Sequence, residues 1–278
     1  MRAPAIRAIG LLSGWGRDAS AVPARAADAA GARAVLGLAR PALDHERFRR
    51  SRRECLLGVA AVGAMLEDAG VGAEAVAGDR TALLFATAAA YGASNREFIE
   101  ARGGSVYFPY TAPSTLSAEA AIEFGLTGPY EILIGGAPAT MRAVARGAAL
   151  LESGICDRAL VLAVDVFEEC HDLVERGRGR LGRPLVEAAA CLWLERGEGV
   201  LDFRQERGGR KDGDDVRGRL GEMLACEPVA ALALARDGAA GGPLSLEGVW
   251  RGERARLAWS RSPYPGSGAR EGDGRRSA

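Results

Sequence analysis

The sequence predicts an α/β fold built around a parallel sheet. Its clearest signal is a strand–helix–strand unit. Glu131–Ile134 is a short apolar strand, Gly135 and Gly136 form a tight turn, and Pro138 stands in the first turn of the following helix. A second strand is predicted over Ala159–Val166, and two strands joined by a helix in this way run parallel with a right-handed crossover. Because this second strand is apolar with a single exception, we expect it to be buried on both faces of the sheet.

Further elements are predicted from apolar periodicity and from the positions of glycine and proline. The additional strands are predicted over Ala5–Leu12, Thr81–Ala86, Ala189–Glu195, Val200–Gln205, Leu244–Val249 and Arg254–Trp259, and the additional helices over Arg47–Ala69, Ser117–Phe124 and Val216–Ala235. Gly197 and Gly199 predict a hairpin between two of these strands. Pro228 predicts a bend in the last helix, whereas the pattern over Ser20 to Ala42 is ambiguous.

Three segments are predicted along the chain. Residues 1–206 form the main α/β domain, and residues 207–260 form a smaller helix and hairpin. Residues 261–278 are poor in apolar side chains and rich in Gly, Arg and Ser, which predicts a disordered tail. Glu175–Arg183, rich in glycine and arginine, is predicted to be a flexible loop because it lacks the strand and the GKS/T ending of a phosphate-binding loop.

The composition argues against nucleic-acid, metal and redox roles. The 278 residues are 48% hydrophobic, and 36 basic residues balance 36 acidic ones for a formal net charge of +0. No basic stripe with interleaved aromatic residues is present, so we expect no nucleic-acid partner. The five cysteines are scattered without a CxxC pair, so no metal site or redox motif is predicted.

The sequence shows no recognisable targeting signal, and this favours a cytoplasmic protein. Arg7 interrupts the first apolar stretch and no cleavage site of small residues follows, so a signal peptide is not expected. No apolar run approaches the roughly 20 residues of a membrane span. We therefore predict a cytoplasmic protein without a membrane span and with reduced thiols, and nothing in the sequence implies a cofactor.

The segment from Tyr107 to Val166 resembles the β-ketoacyl synthase family. It reads YFPYTAPSTLSAEAAIEFGLTGPYEILIGGAPATMRAVARGAALLESGICDRALVLAVDV. The family's first strand, first long helix and last strand of its first half are similar to IRAIGLLSGWG, RFRRSRRECLLGVAAVGAMLEDAGV and RPLVEAAACLWLER, so the resemblance covers about residues 5 to 206. It implies a thiolase-like α/β sandwich with a complete N-terminal half and a reduced C-terminal part.

In this family a cysteine at the strand-to-helix turn accepts an acyl group, helped by the positive end of the helix. Aligned on Gly128–Pro129 and the following strand, that position is Ala137 here, and a methyl group cannot attack a thioester. The family also uses two histidines in its C-terminal half, whereas this chain has only His45 and His171. The resemblance therefore implies a protein without its own condensing activity.

Non-catalytic relatives in this superfamily suggest what such a chain does. Subunits of the chain-length-factor type pair with an active ketosynthase, and a shortened group accompanies the synthases of bacterial aryl-polyene and related pathways. The resemblance implies an active ketosynthase as the partner and an acyl carrier protein as an indirect one. The implied partner interface is the strand formed by Tyr130, Glu131, Ile132, Leu133 and Ile134. Tyr107, Phe108, Tyr110 and Met141 are predicted either to pack in the core or to line an acyl tunnel or the interface.

Two alternatives stay open on the sequence alone. The chain could be a stand-alone acyltransferase or thioester hydrolase that uses Cys170 and His171, or Thr140. Adjacent residues face different ways, however, and acidic neighbours disfavour a thiolate at Cys170; Thr140 lies deeper in its helix, with no base apparent. The second alternative is a homodimeric scaffold that binds acyl groups.

Overall fold

A mixed β-sheet with helices on both faces forms the fold. The computed structural model describes residues 1–43, 45–100, 108–167, 183–208, 215–237 and 244–260. The strands are β1 (Arg2–Ser13), β2 (Val35–Leu36), β3 (Thr81–Thr87), β4 (Tyr130–Ile134), β5 (Arg158–Asp165), β6 (Leu185–Val186), β7 (Ala188–Arg207), β8 (Leu244–Trp250) and β9 (Glu253–Ser260). The helices are α1 (Ala26–Ala30), α2 (Arg53–Ala69), α3 (Gly92–Glu100), α4 (Pro113–Glu123), α5 (Ala137–Glu152), α6 (Asp215–Leu220) and α7 (Glu227–Asp237).

The predicted parallel arrangement is confirmed, with one strand placed between its two members. Within the described residues, the large sheet has the order β4-β3-β5-β7-β9-β8, and β1 pairs with the free side of β7. Strand β3 pairs in parallel with both β4 and β5, so the crossover through α5 passes over β3. Strand β7 runs antiparallel to β5 and to β1.

Both faces of the central strands are buried, as predicted for β5. All seven residues of β3 are buried, and its side chains alternate between two core clusters. Leu83 and Phe85 pack with residues of α2 and α4, whereas Ala82 and Leu84 pack with residues of α5 and α7. The sheet therefore separates two apolar layers, each covered by its own helices.

The hairpin predicted between Ala189–Glu195 and Val200–Gln205 is wrong, because these residues form one long strand, β7. Gly197 and Gly199 serve close backbone approach instead of a turn. A Cβ at Gly197 would lie 2.6 Å from the Ala5 nitrogen, and one at Gly199 would lie 2.1 Å from the Ser260 carbonyl oxygen. Glycine is needed where backbones approach this closely in a sheet.

The single helix predicted over Val216–Ala235 is also wrong, because the chain forms two helices, α6 and α7. Between them Gly221 adopts a φ of +79°. Glu222 then bonds with the β6 segment, donating its N–H to the Pro184 carbonyl and accepting from the Val186 N–H, both at 2.9 Å. These tertiary hydrogen bonds draw the chain out of a helix, and Pro228 stands in the first turn of α7 instead of at a bend.

The predicted C-terminal hairpin is confirmed and extends the same sheet. Arg251 and Gly252 join β8 to β9 with positive φ angles of 48° and 83°, the geometry of a tight hairpin turn. Strand β9 pairs with the distal half of β7, from Val200 to Arg207. Helix α5 contacts β3, β5 and β7 and also β8 and β9, so the sheet curls around this helix and buries most of its residues.

The structure refines the predictions for the segments before β3, and several other predictions fall outside the described residues. The helix predicted over Arg47–Ala69 is a 3₁₀ turn over Glu46–Arg50 followed by α2. The ambiguous segment contains a 3₁₀ turn, α1 and β2. Outside the described residues lie the predicted tail 261–278, nearly all of the loop Glu175–Arg183, and three candidate site residues, which are Tyr107, Cys170 and His171. Among the described helices, none is long and apolar enough to cross a membrane.

Candidate functional site

The predicted nucleophile position lies at the turn between β4 and α5, and the residue there is Ala137. Strand β4 ends at Ile134, Gly135 and Gly136 follow, and α5 begins with Ala137. The N-terminus of this 16-residue helix carries partial positive charge, which would favour an anion. Ala137 is 1% exposed and has no ionisable atom, so the turn lacks the group that this environment would activate.

The C-terminal hairpin lies directly against this turn. A Cβ at Gly248 of β8 would stand 2.6 Å from the Ala137 Cβ and 3.2 Å from the Met141 Cε. A Cβ at Gly136 would stand 2.7 Å from the Cε3 atom of the Trp250 ring. Two glycines thus permit the hairpin to reach van der Waals contact with the start of α5, and the space in front of Ala137 is filled by β8.

Thr140, one of the alternative nucleophiles, has a structural contact. Its side chain is completely buried, and its hydroxyl donates a hydrogen bond to the Ala225 carbonyl at 2.6 Å. The hydroxyl proton is therefore directed to a backbone acceptor that cannot remove it, and the bond ties α5 to the 3₁₀ turn over Leu224–Cys226.

A buried carboxylate, Asp165 at the end of β5, organises the same region. One oxygen accepts hydrogen bonds from the Thr87 hydroxyl and from the N–H groups of Ala88 and Ala89, at 3.1, 2.9 and 2.8 Å. The other oxygen accepts from the Ala225 N–H at 2.8 Å. Complete burial raises the pKa of Asp165 to about 7, although these four donors oppose the shift.

Neither Asp165 nor Ala225 was assigned a role from the sequence. The available signal was a single acidic residue in an otherwise apolar strand, which has to find hydrogen-bond donors when it is buried. Its partner at Ala225 is 60 residues away in the chain. No local pattern in the sequence indicates that contact.

Of the four residues predicted as tunnel or interface lining, the three that the structure describes do not form one cluster. Met141 is buried in the layer that contains α5, whereas Tyr110 packs against the layer on the opposite side of the sheet. Burial raises the pKa of the Tyr110 phenol. Phe108 is 63% exposed, with its ring centroid 5.8 Å from that of Phe98. Tyr107 lies outside the described residues.

The one histidine and the four cysteines within the described residues have structural surroundings. His45 accepts a hydrogen bond from the Arg47 N–H at 3.3 Å and so caps a 3₁₀ turn. The described cysteines are all buried and unpaired, and burial raises the pKa of each thiol; they are Cys55, Cys156, Cys191 and Cys226. No group of three or more potential metal ligands occurs in the described part of the chain.

Strand β4, the predicted partner interface, is an edge of the sheet. It pairs with β3 alone among the described strands. The Pro129 carbonyl and the Gly135 N–H both bond to β3, at 2.8 and 2.9 Å. Since backbone groups alternate along a strand, those of Tyr130, Ile132 and Ile134 point away from β3 and toward the open edge.

The side chains around this edge include exposed apolar groups. Tyr130 is 42% exposed and Ile134 is 52% exposed, and Ile122 on α4 is 66% exposed. Tyr130 and Ile122 also line an apolar groove between α4 and the sheet edge. An open strand edge flanked by exposed apolar side chains is a ready template for another chain.

Residues 12–189 of the chain match the protein family described as Beta-ketoacyl synthase, N-terminal domain. No curated protein has a sequence that matches the chain.

Several solved structures resemble nearly the whole chain. One is a type II polyketide synthase acyl-carrier protein in complex with its ketosynthase bound to the hexaketide, with a TM-score of 0.73 and 13% identity over 94% of this chain and 100% of that chain. Another is the ishigamide ketosynthase/chain length factor, with a TM-score of 0.69 and 14% identity over 93% of this chain and 99% of that chain. A third is a ketosynthase in complex with its chain length factor from Xenorhabdus doucetiae, with a TM-score of 0.61 and 10% identity over 94% and 100% of the two chains. At these identities the likeness shows the fold alone, and the predicted thiolase-like α/β fold is confirmed.

Proposed function

Because the chain belongs to the β-ketoacyl synthase family, we propose that it is a non-catalytic subunit of the chain-length-factor type that pairs with an active ketosynthase. Its partner carries the nucleophilic cysteine, and an acyl carrier protein delivers the growing chain to that partner. The product class is a fatty acid or a polyketide, including polyenes of the aryl-polyene type. The assembly works in the cytoplasm, where the buried, unpaired cysteines stay reduced.

The observation that carries the proposal is the filled turn at Ala137. A condensing enzyme needs a thiol there, an open approach for the thioester and a base or oxyanion donors within hydrogen-bond reach. This chain has a methyl group at that point, with Gly248 and Trp250 packed against the turn. The hydroxyl of Thr140, in the first turn of α5, donates its hydrogen bond to the Ala225 backbone carbonyl.

The open edge at β4 supports pairing with another chain. A five-residue edge strand whose outward backbone groups are unpaired within the described part of this chain can extend a neighbour's sheet by strand addition. The exposed Tyr130 and Ile134 side chains would be covered in such a pair, which adds hydrophobic stabilisation at about 25 cal/mol per Å² of apolar area buried. Chain length factors are named as partners of ketosynthases in the structures that this fold resembles.

The proposal is tested by co-expressing the chain with a cysteine-bearing ketosynthase of the same genome and measuring the complex by size-exclusion chromatography. We expect a stable heterodimer. Ile134→Arg should weaken it, because the substitution places a charge in a desolvated interface. Ile155→Arg is the matched control, since Ile155 is also 52% exposed but lies at the turn after α5, away from β4.

The two alternative functions give different results in the same system. A homodimeric scaffold would elute as a dimer of this chain and would form no complex with the ketosynthase. A stand-alone acyltransferase or hydrolase would form an acyl adduct on this chain without a partner. Equal binding of the ketosynthase by the Ile134→Arg and Ile155→Arg variants would show that β4 is not part of the interface.

A further inference from the structure

The β8–β9 hairpin places an aromatic ring on the backbone of the degenerate turn. The Trp250 ring lies over Gly136, where the Cβ of any other residue would come within 2.7 Å of it. The same ring is 3.6 Å from the Cβ position of Gly135. The guanidinium of Arg251 lies 5.4 Å from the ring centroid, within the range of a cation–π contact. The ring is thus held between the turn and a charged side chain.

The hairpin that carries this ring is fixed on the body of the protein. Glu247 on β8 forms ion pairs with Arg254 and Arg256 on β9, at 2.6 and 3.1 Å. The Arg142 guanidinium on α5 lies 3.6 Å from the Glu253 carboxylate near the hairpin turn. Strand β9 is also bonded along its whole length to β7. These contacts favour a permanent cover over a mobile lid.

We propose that the β8–β9 hairpin is a fixed cap on the degenerate nucleophile turn, with Trp250 as its principal residue. Position 137 is then closed to acyl thioesters whatever side chain it carries, so that restoring a cysteine there does not restore a nucleophile. This inference rests on the proposed non-catalytic function and deepens it. The chain then lacks condensing activity for two independent reasons. Position 137 carries no sulfur, and the approach to that position is filled by the hairpin.

The cap is tested by thiol labelling of the full-length chain alone. Ala137→Cys puts a thiol at a helix N-terminus, where an accessible cysteine has a lowered pKa and reacts quickly. We expect the introduced thiol of the native Ala137→Cys protein to react with iodoacetamide far more slowly than that of the urea-unfolded protein, as followed by peptide mass spectrometry. The double variant Ala137→Cys, Trp250→Ala should react at least about tenfold faster than the single variant, because opening no longer requires displacement of the ring.

Two further variants separate the cap from general loosening of the hairpin. Trp259 on β9 is buried in the core and pairs with Leu244, at the opposite end of the hairpin from Trp250. Ala137→Cys combined with Trp259→Ala should stay slow. Ala137→Cys combined with Trp250→Phe should also stay slow, because a smaller ring still covers Gly136. If Trp250→Ala does not fold, Trp250→Leu takes its place, since it removes the flat ring but keeps an apolar side chain, and it should again accelerate labelling.

Two results would overturn the assignment. One is rapid labelling of the native single variant, which would show an open turn. The other is equal acceleration by the Trp259→Ala and Trp250→Ala substitutions, which would show that hairpin stability alone protects the site. Because these measurements use the chain without a ketosynthase, a failed cap is distinguishable from a failed heterodimer.

Discussion

Substitution of Gly248 by alanine tests the packing of the hairpin on α5. The added Cβ would lie 2.6 Å from the Ala137 Cβ and 3.2 Å from the Met141 Cε. The Met141 terminus can move aside, but the Ala137 Cβ belongs to a buried helix and cannot. Overpacking of this kind costs about 1–3 kcal/mol in unfolding free energy, and we expect Gly248→Ala to fall within that range.

A double-mutant cycle identifies the contact that causes the loss. Ala137→Gly removes the opposing Cβ and costs up to about 1 kcal/mol through its lower helix propensity. Combined with Gly248→Ala, it should restore stability, so that the two substitutions couple favourably by about 1–2 kcal/mol. The assay is urea unfolding followed by circular dichroism. A fully stable Gly248→Ala protein, or strictly additive losses, would refute the close approach of β8 to Ala137.

Two further predictions concern buried charges. Because burial raises the pKa of Asp165 to about 7 from an ordinary 3.8, the folded state binds more protons than the unfolded state between those values. The unfolding free energy should therefore fall as pH rises from 4 to 7, by up to about 1.4 kcal/mol per pH unit, and Asp165→Asn should flatten that slope in urea titrations. Glu187 is fully buried, pairs with Arg53 at 2.6 Å and accepts the N–H groups of Leu38 and Phe167, both at 2.7 Å. Glu187→Ala should cost about 3–5 kcal/mol, and a urea midpoint within error of the wild type would contradict this.

The central strands and α5 could be predicted because their signals are local. An apolar run without alternation, such as Ala159–Val166, has few structures open to it besides a strand buried on both faces. A tight glycine turn followed by Pro138 leaves a helix start as the natural continuation. The resemblance to a family then located Ala137 at that start, and the structure confirms Ala137 as the first residue of α5.

The errors arose where tertiary contacts overrule local rules. Gly197 and Gly199 predict a turn, but they serve the close approach of β1 and β9 to β7. The helix predicted through Gly221 breaks because Glu222 bonds to residues more than 30 positions away. Glycine is favoured both in turns and where two backbones approach closely in a sheet. The sequence alone therefore does not distinguish these two roles.

The cover on the turn could not be predicted from the sequence. Trp250 and Gly136 are more than 100 residues apart, and their contact depends on the curl of β7 around α5. The hairpin itself is predicted correctly, over Leu244–Val249 and Arg254–Trp259. Its place against Gly136 and Ala137 emerges only when the sheet is assembled.

The most direct test of the proposed function is the mass of each chain after contact with an acyl thioester. The purified complex of this chain with its cysteine-bearing ketosynthase is incubated with octanoyl-N-acetylcysteamine and analysed by intact-protein mass spectrometry. We expect an octanoyl adduct on the ketosynthase and an unmodified mass for this chain. A stable adduct on this chain, mapped to any of its residues, would contradict it.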